Sequence, residues 1–261
     1  GCRFASPASG LGAFFTCFCP RCQKKAKELG YNFLRLKKHA RQIYRTLADG
    51  RLGGQVPEMH PFSLLSAIAA FPGIADWISF RRECVIEHFS NVSDLVHGMG
   101  AEMGGYIFTP CLSPLVGQDY PSLAGLLDIA SPIIYRNLPE DPGPACLNKE
   151  AATLSSFLRR GGLEDGKAAE VMSNFLALSE EGKTISEIDE GVSLKSIEME
   201  LKRSSELLKG VSKLVPILYL GDEQVENSVK SAGLGGLDGV NFFVYKDEWR
   251  CAIEQISRYS G

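Results

Sequence analysis

Five short runs dense in β-branched and aromatic residues, separated by much longer stretches with helical periodicity, restrict the fold more than any other feature. The runs are Cys2 to Ala5, "GGYIFTP" (104–110), "ASPIIYRN" (130–137), "VPILYLGD" (215–222) and "GVNFFVYK" (239–246). Short apolar runs bounded by Gly, Pro or Asp read as buried strands. Between them the spacing predicts helices over 22–49, 76–98, 147–160, 166–180 and 193–210, with a closing helix at 247–259. Strands alternating with helices build a mainly parallel sheet, closed as a barrel or open with helices on both faces. Segment 161–192 lengthens one crossover well beyond ordinary loop length and reads as a helical insertion. The expectation is a single α/β domain over 1–261.

With 261 residues, 44% of them hydrophobic and 23% charged, the chain can bury a substantial core. The formal net charge is −3. The Lys/Arg-rich stretch at 35–45 reads as a solvated helix face rather than a block that tracks a phosphate backbone, so nucleic acid is not an expected partner. No apolar run approaches the roughly 20 residues of a membrane span, so a membrane is not an expected partner either. Nothing in the pattern speaks to oligomeric state. The eight cysteines are too sparse for a disulfide scaffold, which favours a reducing, cytoplasmic compartment. Gly rather than Met stands first, and "GCRFAS" reads as the middle of a buried strand, so the chain is expected to be a fragment.

Ligands of parallel sheets gather beyond the carboxyl ends of the strands. The residues there are polar, aromatic or acidic, as a sugar-sized polar ligand requires. Tyr120, Tyr135 and Tyr245 offer rings for stacking, and Gln118, Arg136 and Asn137 offer hydrogen bonds. Asp119, in "VGQDY", is open to two readings, a reactive carboxylate or the cap of a helix beginning near Pro121. Trp77 and Phe80 lie on a predicted outer helix, where packing is their expected role. His39, His60, His88 and His97 show no metal spacing and no link to a nucleophile. No Ser–His–Asp arrangement, P-loop or dinucleotide fingerprint is visible.

Near the start, "CFCPRC" places Cys17, Cys19 and Cys22 just ahead of a predicted helix. Three thiolates at this spacing suit a tetrahedral zinc, although a structural site normally takes four ligands. The alternative is three reduced cysteines that pack the start of the helix. The surroundings of a thioredoxin-type redox motif are absent.

The segments "CFCPRCQKKAKELG", "FRRECVIEHFSNVSDLVHGMGAEMGGYIFTPCLSPLVGQDYPSL", "LDIASPIIYRN" with a downstream "GPA", "VPILYLGDE" and "LDGVNFFVY" resemble, in this order, glycoside-hydrolase-like TIM barrels, similar to the β-galactosidase-like families. The resemblance covers most of the chain, residues 161–213 being the least diagnostic. It implies a (β/α)8 barrel of which about five parallel strands, roughly the fourth to the eighth, are present, an amino-terminally truncated portion. Five strands of a barrel leave two open edges, a physical difficulty for a chain standing alone.

The implied activity is hydrolysis of an oligo- or polysaccharide by two carboxylates, at the ends of the fourth and seventh strands. "LYLGDE" matches the seventh, which makes Glu223 the nucleophile and Asp222 its neighbour or substitute. An exposed acid at a helix N-terminus is the alternative reading of Glu223. The fourth-strand end reads "RFASPAS", with Ala5 and Ser6 where many relatives carry an acid, so Asp119, then Glu140 or Asp141, would have to substitute. The resemblance also implies that the cysteine cluster holds a structural zinc completed by an upstream cysteine, for which Cys2 is a donor; no other cofactor is implied. The departure at Ala5 and Ser6 keeps a second expectation open, a non-catalytic carbohydrate-binding barrel. A barrel aldolase or isomerase is disfavoured, since no Lys stands well placed on an inner strand.

Overall fold

The computed structural model describes residues 17–48, 71–138, 146–208, 210–233, 236–243 and 254. Among them are five strands, β1 (Gly104–Phe108), β2 (Ile129–Ile133), β3 (Lys213–Leu214), β4 (Ile217–Tyr219) and β5 (Asn241–Phe243). All pair in parallel in one sheet of order β1-β2-β4-β5, with β3 also on β2. The α/β class and the parallel sheet are those expected, and four of the five expected strands overlap observed ones. The run Cys2 to Ala5 and the closing helix over 247–259 lie outside the described residues, apart from Glu254, which is helical.

β3 and β4 are in effect one strand broken at Pro216. Proline has no N–H to give to a ladder, and β2 carries its own proline, Pro132, in the same stretch. Pairing between them is accordingly confined to Ile129 with Lys213, Ala130 with Leu214, and Ile133 with Ile217. Val215 N–H to Ala130 O (3.0 Å) and Ile134 N–H to Ile217 O (3.0 Å) bridge the gap.

Nine helices accompany the sheet among the described residues: α1 (Pro20–Glu28), α2 (Phe33–Ala48), α3 (Pro72–Gly98), α4 (Tyr120–Ala124), α5 (Leu147–Arg160), α6 (Asp165–Leu176), α7 (Ile185–Glu190), α8 (Leu194–Leu208) and α9 (Val225–Gly233). The expected helix over 22–49 is two helices. Gly30 sits in the left-handed region (φ 79°), with Tyr31 N–H on Ala26 O (2.8 Å) and Gly30 N–H on Lys27 O (3.2 Å). These two bonds are a Schellman ending, and glycine adopts its geometry without a Cβ penalty. Segment 161–192 holds α6 and α7, as its reading as a helical insertion requires. No helix among the described residues is long and apolar enough to cross a membrane.

Strand order follows chain order with no reversal, and right-handed crossovers then put the helices on one face. Alternation along the strands sends Ile107, Ala130 and Leu214 into one cluster with Leu123 and Leu208. Ile134 and Leu218 join a second cluster built from α5 to α8. The opposite face carries Tyr106, Ser131, Ile133, Ile217, Tyr219, Asn241 and Phe243, matched by the strand register. Tyr106 on that face is 71% exposed.

Glu200, on α8, locks the two layers together. Its side chain is fully buried and accepts from Thr109 Oγ1 (2.5 Å) and Cys111 N–H (2.8 Å), just beyond β1, while Arg203 pairs with its other oxygen. Burial, and then the adjacent Glu200 charge, pushes the Cys111 thiol well above its ordinary value. Glu200→Leu leaves two enclosed donors without an acceptor and is expected to destabilise the protein by about 3 kcal/mol, with Glu200→Gln costing less than half as much. Urea unfolding of both variants checks this; equal losses would show that packing, not the acceptor, matters.

Candidate functional site at the carboxyl ends of the strands

β2 and β4 end in "YRN" and "LGDE", and pairing of the two strands brings these ends together. Arg136 donates Nε to Asp222 Oδ2 (2.6 Å) and Nη2 to Asp222 Oδ1, a bidentate pair with side chains 10% and 3% exposed. Asp222 also accepts the N–H of Gln224 (3.0 Å), which shapes the turn into α9. The hydrogen bonds that Arg136 donates to Asp222, and then the charges of Asp222, Glu223 and Glu180, raise the affinity of Arg136 for its proton. Glu223 is exposed beside this pair, and among the described residues no hydrogen bond reaches its carboxylate.

The insertion folds over the same end of the sheet. Val192 N–H donates to Arg136 O (3.0 Å), and a Cβ on Gly191 would lie 2.9 Å from Arg136 Nη1 and 3.3 Å from Asn137 Cβ. Only glycine lets this loop approach so closely. Lys183 Nζ donates to Gly191 O (2.9 Å) and pairs with the buried Glu180 (2.7 Å), which also accepts from Ser193 N–H (2.7 Å) and Ser196 Oγ (2.6 Å). Asn137 Oδ1 is enclosed, with no donor among the described residues. Glu180, Gly191 and Glu200 were invisible to sequence reasoning, since nothing local marks a buried acid in a helical stretch. The only legible signal nearby is the Thr184–Glu187 capping box that begins α7.

On the opposite face of the sheet the buried Tyr135 stacks on Phe243 with ring centroids 5.4 Å apart and planes 29° apart, in a small apolar cluster with Leu138, Cys146 and Ile217. Burial, then Cys146 and Tyr106, pushes the Tyr135 phenol up. Tyr219 lies against the turn at Gly221, where a Cβ would meet its hydroxyl at 2.4 Å.

The "VGQDY" residues are engaged locally. Gln118 Oε1 accepts the N–H of Phe108 (2.7 Å), and the buried Tyr120 donates its hydroxyl to Phe108 O (2.8 Å). Asp119 caps α4, accepting Ser122 N–H (3.2 Å) and the Ser122 hydroxyl. A cleft of about 310 Å³ opens beside this loop, lined in part by Asp119, Arg82 and Leu207. Gln118 and Tyr120 are thus bonded to the backbone of β1 and also line this cleft. Trp77 and Phe80 are buried on α3, in the packing role expected of them. Tyr245, Glu140, Asp141, Cys2, Ala5 and Ser6 lie outside the described residues.

One expectation about the histidines is corrected. His97 Nε2 lies 2.7 Å from Asp128 Oδ2, and His97 Nδ1 lies 3.3 Å from Ser93 Oγ, a serine–histidine–aspartate chain assembled at the amino end of the sheet. The Ser93 hydroxyl is buried and donates to Leu126 O (2.8 Å), so its proton is committed to the backbone and the chain is architectural. Its link spans 31 residues between His97 and Asp128, which is why no local pattern announces it.

The sulfurs of Cys17, Cys19 and Cys22 all lie within 4.8 Å of one another, and Cys19 Sγ is 3.7 Å from Cys22 Sγ. Tetrahedral bonds of about 2.3 Å set two thiolates roughly 3.8 Å apart, so this cluster could hold a metal. Cys19 is the N-cap of α1; the backbone N–H of Cys22, and then the Cys17 and Cys22 thiols, lower its pKa to about 7.

No protein-family model, curated protein or solved structure matches the chain.

Two outcomes test these geometries. Arg136→Met or Asp222→Asn strands a buried charge and is expected to cost about 3 kcal/mol, whereas the double variant recovers most of the loss; additive losses in denaturant unfolding would contradict the pairing. Because the lowered pKa makes Cys19 of the metal-free protein half thiolate near neutrality, its alkylation by iodoacetamide after chelator treatment rises through an inflection at pH about 7. Peptide mapping of alkylation rates reads this, and an inflection at an ordinary thiol pKa would refute it.

Proposed function

We propose that the sheet is an arc of a (β/α)8 barrel of the glycoside-hydrolase-like class, and that the chain hydrolyses an oligo- or polysaccharide at the carboxyl ends of β2 and β4. The observation that carries this reading is the buried Arg136–Asp222 pair with the exposed Glu223 next to it. Strand order without reversal supports the barrel, because neighbouring barrel strands are consecutive and share one helical layer.

In this reading Glu223 is the reacting carboxylate. Asp222, with both oxygens engaged, is a positioning residue: it holds Arg136 across the two strand ends and fixes the turn from which Glu223 projects. Asn137 stands next to Arg136 as a hydrogen-bonding group for a sugar hydroxyl through its amide nitrogen, its Oδ1 being enclosed. Hydrolysis calls for a second carboxyl group, about 5 Å away for retention and farther for inversion. Asp119 is the acid proposed for that role, drawn from the loop after β1. Zinc at Cys17, Cys19 and Cys22 completes the proposal as a structural ion that ties the start of α1.

A second reading, carbohydrate binding without turnover, is favoured by one observation. The carboxylates of Asp119 and Asp222 are both engaged within the protein, which leaves Glu223 as the one acid of the three without a hydrogen bond among the described residues. A panel of glycosides and polysaccharides separates the two. Hydrolysis by the wild type that falls at least about 100-fold in Glu223→Gln, with unchanged melting temperature, supports the enzyme. Turnover unaffected by that substitution overturns the role of Glu223, and binding with no turnover on any member establishes the second reading.

A further inference from the structure

The most uneven feature of the molecule is the charge of its first two described helices. Residues 17–48 contain nine lysines and arginines against a single acid, Glu28, in a chain whose net charge is −3. Two of the nine are engaged with α3: Lys25 pairs with Glu87 (2.5 Å) and Arg35 with Asp76. The others are directed by helix geometry. Phe33, Leu36 and Ala40 form the buried stripe of α2, the first two packing with Trp77 and Phe80. Leu34, Lys38, Arg41 and Arg45, at helical spacings of three and four, form the opposite stripe and are all exposed. No acid among the described residues pairs with Lys38, Arg41 or Arg45. Exposed Arg21, Lys24 and Lys27 continue the surface on α1, where a cleft of about 480 Å³ between the two helices is lined by Lys24, Lys27 and Leu34.

The direction of this surface follows from its contacts. α3 runs from the carboxyl end of the sheet to the amino end, since Arg81 Nη1 donates to Leu115 O (2.7 Å) beyond β1 while His97 meets Asp128 just before β2. α2 lies antiparallel to α3, with Tyr31 on Glu83 (2.5 Å), Arg35 on Asp76, and Gly73 N–H on His39 Nδ1 (2.8 Å). A Cβ on Gly73 would lie 2.6 Å from that nitrogen, so glycine permits the contact. Gly73 is more than two helical turns beyond Arg81, and the half of α2 that carries Arg41 and Arg45 continues past it. The cationic stripe therefore rises beyond the carboxyl edge, at the same end of the molecule as Arg136, Asp222 and Glu223.

We infer that this surface is a docking track for an anionic polysaccharide, one with a carboxylate on each sugar, and that it selects polyuronates over neutral glycans for the site at the strand ends. The inference rests on the carbohydrate reading proposed above. Cations one helical turn apart repeat along the stripe as carboxylates repeat along such a chain. A bilayer is a poorer match, because among the described residues the large apolar side chains exposed on α2 are Leu34 (73%) and Tyr44 (37%), too little surface to enter an acyl layer. Single-stranded nucleic acid is poorer too, since base stacking needs a series of exposed rings and, among the described residues of α1 and α2, Tyr44 is the one exposed aromatic.

The test is retention of the full chain by polygalacturonate, a neutral β-glucan, polyuridylate and phosphatidylserine vesicles, each at low and at physiological salt. Its companion is Lys38→Gln/Arg41→Gln/Arg45→Gln, which keeps helix propensity and is checked by circular dichroism. Polygalacturonate is expected to bind tightest, to weaken with salt, and to bind the triple variant about tenfold less well. Equal binding of the neutral glucan and polygalacturonate, unchanged in the variant, overturns the track while leaving the carbohydrate reading intact. Tighter retention of polyuridylate or vesicles overturns the polysaccharide as occupant. Binding of neither glycan overturns the track and the reading beneath it.

Discussion

The carboxylate of Glu200 is the interaction on which the arrangement of layers depends. A buried, ionised acid without partners would be several kcal/mol unfavourable, and this one is tolerated because three groups converge on it: the Thr109 hydroxyl, the Cys111 amide and the Arg203 guanidinium. Two of the three belong to the loop that leaves β1, and the acid itself to the last helix before β3. Sheet and helical layer are therefore held in register by a polar clamp as well as by the apolar clusters around Ile107 and Ile134. Such a clamp accepts one alignment only, because a shift of α8 by a residue would carry the carboxylate away from its donors.

The same solution recurs along the carboxyl edge. Asp222 is satisfied by Arg136 and the Gln224 amide, while Glu180 accepts from Ser193 and Ser196 through one oxygen and is ion-paired with Lys183 through the other. Three buried acids on three different segments thus converge near the ends of β1, β2 and β4. Prolines at 132 and 216 thin the ladder between β2 and the strand beside it, and the side-chain pair of Arg136 and Asp222 joins those two strands where the backbone joins them least. Glu223 projects from this rigid edge into solvent. It is an exposed acid on a turn held by Asp222, near an arginine already engaged by its own partner.

Several elements could be read before folding because their causes are local. The α5 helix spans the expected 147–160, Asp119 caps the short helix at Tyr120, and Trp77 and Phe80 pack on α3, since periodicity and capping act within a few residues. The break after Glu28 was legible in principle, because Gly30 in "KELGYN" is a helix-stop signal, yet the basic and apolar periodicity on either side masked it. The burial of Gln118 and Tyr120 was not legible: both bond to the backbone of Phe108, and a polar residue after a strand looks the same whether it faces a ligand or the strand it has just left.

The sequence by itself determined the alternation of strands and helices, the α/β class, the cysteine cluster at the start of α1 and the acids at the end of "LYLGDE", all of which follow from composition and spacing over short windows. Only the tertiary structure decided that Asp222 is paired with Arg136 across 86 residues, that Glu200 reaches Thr109 across 91, and that His97 meets both Ser93 and Asp128. Side-chain partners at such separations depend on how strands are ordered and where each helix lies, and no local preference encodes that. The division is therefore one of range: short-range physics writes the elements, and burial of charge chooses which of their side chains must meet.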